Sequence, residues 1–127
     1  RSAFSVQRIG TYARQMVSEA IRQRFLRDPW RIRLGNLASD LARIASSNNA
    51  EHEYVASLLA ESKCFAEWTA PEVAPNIEAM LSQLQRTIES WEQAWIAGAP
   101  VATMRSVARS QSDKLLKLAG FDVAEVS

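Results

Sequence analysis

The chain has 127 residues, 47% of them hydrophobic and 23% charged, with a formal net charge of +1. That is enough apolar material for one domain over residues 1–127 to bury a core without metal or disulfide staples, and too much for a chain disordered throughout. The single cysteine, Cys64, excludes an internal disulfide, and no run of about 18 apolar residues is present to span a membrane. One cysteine also points to a reducing compartment, so a cytoplasmic location is expected. Four glycines and four prolines leave few turn residues, which favours a small number of long helices.

The first helix is expected from about Ala3 to Leu26. Ile9, Tyr12, Ala13, Met16, Val17, Ala20 and Ile21 form one stripe, with Arg8, Thr11, Arg14, Gln15, Ser18 and Arg22 opposite. The first 27 residues are arginine-rich and acid-poor like an organellar transit peptide, but so regular a stripe belongs in a folded bundle. The pattern breaks near its end, where Arg24 and Arg27 would point inward and Phe25 and Leu26 leave the stripe.

Asp28-Pro29 restarts the chain, with Asp28 placed to cap free N–H groups and Pro29 suited to a first helical position. Trp30, Leu34, Leu37, Leu41 and Ile44 then follow a spacing close to a coiled-coil seam. Gly35, Ala38, Ala42 and Ala45 run alongside as a ridge of small residues that admits a neighbouring helix closely. Asn48 and Glu51 resemble a capping box for a third helix over about 49–68. Its inward residues are Tyr54, Val55, Leu58, Leu59, Ser62, Phe65 and Ala66, with Trp68 at the margin. Its outward residues are Glu53, Ala56, Ala60, Lys63 and Glu67.

After a connection at 69–74, the fourth helix runs from Pro75 to Ala97 and is roughly 35 Å long. Ile77, Met80, Leu81, Leu84, Ile88, Trp91 and Trp95 form its apolar face. Glu78, Gln85, Arg86, Glu89, Glu92 and Gln93 form its polar face. Pro100 is expected to open a fifth helix with Val101, Met104, Val107, Ala108, Leu115 and Leu118 inward. Gly120 is a natural residue to follow its end, with Phe121 folding back. The fold class is therefore all-α, an up-and-down antiparallel bundle of about five helices, a four-helix core plus one additional helix.

Charge is unevenly spread. Residues 1–45 hold nine arginines against Glu19, Asp28 and Asp40, whereas residues 46–99 hold Lys63 and Arg86 against eight glutamates. Basic helices beside acidic ones within a bundle account for this, and so does a basic surface for an anionic partner. Seven arginines lie between residues 8 and 33, and Arg8, Arg14 and Arg22 share a face that could bind anions.

Little else carries chemistry. His52 is the only histidine, so the paired Glu-x-x-His pattern of di-iron bundles is absent, and a half-exposed helical position is its ordinary role. Cys64 lies about 120° around the helix from His52, too far to form a nucleophile–base pair with it. No pair stands out as an acid–base dyad among Asp113, Glu53, Glu61, Glu67, Glu89 and Glu92. No glycine-rich phosphate loop or nucleophile elbow is present. Trp30, Trp68, Trp91 and Trp95 at helical spacings belong to core or subunit interface.

The sequence thus points to a non-enzymatic helical interaction module, an adaptor or regulatory subunit, with no catalytic residue, metal or cofactor. Off-stripe Phe25 and Leu26 beside Trp30 suggest a homodimer interface, or a surface for another helical protein. The alternative is a nucleic-acid binder using the arginine-rich face of residues 8–33.

Overall fold

The computed structural model describes residues 17–99 and 101–121. Among them the structure is all helical, with no strand: α1 (Glu19–Arg27), α2 (Trp30–Ser46), α3 (His52–Thr69), a 3-10 turn (Ala70–Glu72), α4 (Pro75–Ile96) and α5 (Met104–Leu118). The four longer helices form a bundle around one apolar core, and the short α1 lies against it as the additional helix.

Several expected boundaries shift, each for a local reason. The first helix is not continuous from Ala3: Ser18 is extended and its Oγ accepts from the Ile21 N–H at 3.2 Å, so α1 starts at Glu19. The stripe residues Ile9 to Met16 lie outside the described residues. Asp28 does not cap α2. It ends α1, donating its own N–H to the Phe25 carbonyl, and Pro29 stands at the N-cap of α2 with no side-chain bond. Asn48 and Glu51 do bond, Glu51 Oε1 accepting from the Asn48 N–H at 3.0 Å, but they close a turn before α3 begins at His52. The fifth helix starts at Met104 after a turn at 102–103, and Pro100 lies outside the described residues.

The helix ends follow the expected chemistry. Gly98 and Gly120 adopt φ of 75° and 88°, which an L side chain rarely tolerates, and each lets the next N–H reach back to the fading helix. Ala99 N–H donates to the Ala94 carbonyl and Phe121 N–H to the Leu116 carbonyl, both at 2.9 Å.

α2 and α5 run antiparallel along the small-residue ridge of α2 and form the most intimate pair. Ser112 Oγ donates to the Ala38 carbonyl at 2.8 Å, and Arg105 and Arg109 of α5 donate to Ser47 and Ser46 at the end of α2. At the other end the Phe121 ring lies where a Cβ on Gly35 would approach to 3.3 Å, so glycine there admits the ring. α3 pairs with both α2 and α4, whereas α4 and α5 are separated by a groove of about 390 Å³ lined by Met80, Leu84 and Val107 among others.

Four residues fall on the opposite side from expectation, among them Ala60, expected outward but buried because it shares a covered face of α3 with Cys64 one turn on. Tyr54 is 47% exposed, because the buried stripe of α3 runs through Val55, Leu59, Ser62, Ala66 and Thr69 and leaves it at the margin of the first turn. Lys63 is largely covered, and Glu92, expected on the polar face of α4, is buried. Glu92 follows Ile88 by four residues and precedes Trp95 by three, which puts it on the apolar face; its Oε1 accepts from Lys63 Nζ.

Trp91 is buried, and Trp91→Ala should cost roughly 3–5 kcal/mol, since transfer and cavity terms add. Glu92→Ala should cost about 1–3 kcal/mol, because it strands the Lys63 ammonium in a poorly hydrated site. Denaturant melts of both variants check this, and a wild-type midpoint for Glu92→Ala would contradict the pairing.

Candidate functional site

Nine residues are too few for a helix to persist alone, so α1 needs outside support. Arg33 on α2 supplies it. Only 5% exposed, it donates from Nε to the Asp28 carbonyl and from Nη2 to the Leu26 carbonyl, both at 2.8 Å, and from Nη1 to the Glu72 carboxylate in the 3-10 turn. The two carbonyls sit at the end of α1, where helical partners run out. Phe25 then stacks on Phe65 of α3, ring centroids 4.0 Å apart and planes 11° from parallel, with Trp68 tilted beside both.

So held, α1 forms one side of an open cleft of about 340 Å³ along α2 and α3. Ile21, Arg24, Phe25 and Asp28 line it from the α1 side, Asn36, Ser39, Asp40 and Arg43 from α2, and Glu61 and Phe65 from α3. Asp40 is its most unusual member. The residue is 1% exposed; Oδ1 accepts from Arg43 Nη1 at 3.1 Å, and Oδ2 meets no donor among the described residues. The Glu61 carboxylate neighbours that of Asp40, and two carboxylates can hydrogen-bond only when one carries a proton. Burial is the main reason the Asp40 carboxyl is pushed up to about 8 from 3.8; Glu61 adds to it, and Arg43 pulls the other way. At neutral pH Asp40 therefore keeps its proton.

The anticipated site residues are not brought together in this way. Arg8 and Arg14 lie outside the described residues. Arg22 is exposed, pairs with Glu19 at 3.4 Å and lies over the Trp68 ring. Arg33, counted in the same basic run, is internal and committed to structure. Phe25, expected at an exposed interface, is buried within the chain, because the α1–α2 junction turns it onto Phe65; Leu26 and Trp30 are half-buried.

His52 has a structural role. Its ring stacks on Trp95 with centroids 5.0 Å apart, and Nε2 lies 3.1 Å from the Trp95 carbonyl, which can only accept. Trp95 Nε1 donates back to the His52 carbonyl at 2.9 Å, so the start of α3 is clasped to the end of α4. Cys64 is buried in α3. Among the described residues no group of three or more His, Cys, Asp or Glu is placed to hold a metal ion.

Asp40 was the residue sequence reasoning missed, although a signal exists. Arg33, Asp40 and Ser47 are spaced by seven along α2 and all are buried, a polar line beside the leucine seam. Comparison with known protein families, characterised proteins and solved structures finds no match.

Arg33→Lys should cost roughly 2–4 kcal/mol, because one ammonium cannot replace a planar fork that reaches three acceptors. Denaturant melts check the loss, and a lysine variant as stable as the parent would contradict it. The Asp40 pair predicts an inverted pH dependence. The folded chain holds the proton more tightly than the unfolded, so this contribution is complete below 3.8 and is lost as pH rises through about 8. Thermal melts from pH 5 to 9 should show the wild type losing stability relative to Asp40→Asn, which mimics the protonated acid. A constant difference between the two would overturn the assignment.

Proposed function

We propose that the chain is a non-enzymatic helical interaction module, a cytoplasmic adaptor or regulatory subunit that associates with a second copy of itself. The observation that carries this reading is charge left uncompensated within the chain. Among the described residues, Arg33–Glu72 is the one ion pair joining the basic N-terminal part to the acidic middle. Arg24, Arg27 and Arg31 remain exposed around the α1–α2 junction, and Glu53, Glu67, Glu78 and Glu89 remain exposed on α3 and α4.

Such a surface is complementary to itself. A two-fold axis sets the basic junction of each protomer against the acidic face of the other, and both contacts form at once. Exposed Ile32, with half-buried Leu26 and Trp30, supplies an apolar centre at the same junction. The cluster of Arg24, Arg27 and Arg31 also favours a second reading, binding of nucleic acid by its phosphates.

Light scattering at tens of micromolar and about 0.05 M salt should read twice the chain mass, and should fall toward the monomer near 0.5 M as the opposed charges are screened. Ile32→Asp should weaken association without unfolding the chain. Phe25→Asp should instead unfold it, since that side chain belongs to the core. A monomer at low salt would reject self-association. A monomer that binds an RNA or DNA oligonucleotide with steep salt dependence would select the second reading.

A further inference from the structure

The cleft beside α1 carries a charge imbalance. With every group ionised its wall presents three carboxylates, Asp28, Asp40 and Glu61, against two guanidiniums, Arg24 and Arg43. Asp28 Oδ2 lies 3.5 Å from Asn36 Nδ2, and Asp40 Oδ1 is taken by Arg43. Asp40 Oδ2 is left, buried in the wall of the cleft and without a donor among the described residues, and Glu61 neighbours the same carboxyl. The one unbalanced charge lies at Asp40, where at neutral pH an exchangeable proton meets it.

We propose that this cavity is a binding site for a primary ammonium on a short apolar chain, its N–H groups bridging Asp40 and Glu61. The site is distinct from the charged surface invoked for self-association. An ammonium is a compact monocation with three donors, enough for both carboxylates and one further acceptor, and Ser39 and Asn36 offer oxygens in the same wall. Ile21, Phe25 and Phe65 receive the carbon chain. A volume near 340 Å³ lies at the small end of ligand sites, which suits a small amine or a single lysine side chain. A divalent metal would overshoot the charge by one.

Binding is an exchange. The ammonium enters already charged, the proton on Asp40 leaves to solvent, and no other bond is made or broken. The groups facing the pair are Arg24 and Asp28 from the α1 side and Arg43 from α2, and the arginines stay charged throughout. Affinity therefore rises with pH, by about tenfold per unit while Asp40 still holds its proton.

The test is a titration of the full chain with n-butylammonium chloride at pH 6.5 and 8.5, at ionic strength fixed with sodium chloride, followed by NMR shifts. A parallel arm uses a capped lysyl peptide. One-site saturation centred on Asp40, Glu61 and Phe25 is expected, at least about tenfold tighter at the higher pH. It should weaken at least about tenfold in Asp40→Asn and in Glu61→Gln, and the second variant carries the test should the first fail to fold. Saturation by butylammonium alone marks a free amine as the ligand, and saturation by the peptide marks a partner's lysine. No saturable response in either arm, a response that potassium chloride reproduces, or one unchanged in the folded variants would overturn the proposal.

Discussion

The guanidinium of Arg33 ties together three pieces of chain that otherwise have little reason to meet. Its donors serve the last carbonyls of α1 and the carboxylate of the 3-10 turn, while its stem leaves from the first turn of α2. Three consequences follow in order. A nine-residue helix too short to stand alone is fixed beside the bundle; it lines one side of an open cleft; and Asp40 lies buried in the wall of that cleft, where it keeps a proton at neutral pH. The arginine that anchors α1 and the buried carboxylate of Asp40 stand one heptad apart on α2. A lysine could offer charge at that position but not the fork.

Much of this architecture was legible. The stripes of α2 and α4, the small-residue ridge with Gly35, and Gly120 after α5 each express a local rule, and the structure places them accordingly. Exposed and half-buried positions of α1 were not legible, because its ends are set by Ser18 and by a residue on the next helix. The candidate site was missed for a different reason. Treating every charged residue as solvated put Glu92 and Lys63 on outer faces and left Asp40 as a mere unit in a charge balance. Their spacing from Ile88, Leu59 and Leu37 argued otherwise, since it matches the apolar period of each helix.

These buried charges differ in what they do to the fold. Lys63 and Glu92 are mutual partners across α3 and α4, so each offsets the other's desolvation and together they fix the register of two helices. Glu92 Oε2, the other oxygen of that carboxylate, is buried without a donor among the described residues, so the offset is incomplete. Asp40 is a case of another kind. Its arginine partner is more than half exposed and its other charged neighbour is a second acid, so the local balance is met by a proton rather than by a counter-charge.

The pairing of α2 with α5 has a consequence in time. Gly35 meets Phe121, and Ala38 meets Ser112, across most of the length of the chain. Closing so long a loop is an entropic step that local helix formation cannot hasten. During synthesis at about 5–20 residues per second, the ridge of α2 emerges several seconds before the helix that covers it. For that interval Leu34, Leu37 and Leu41 are served by α3 alone, and the nascent chain exposes a smooth, close-approach surface to whatever else is near. Among the described residues, α5 is the helix that ends this exposure.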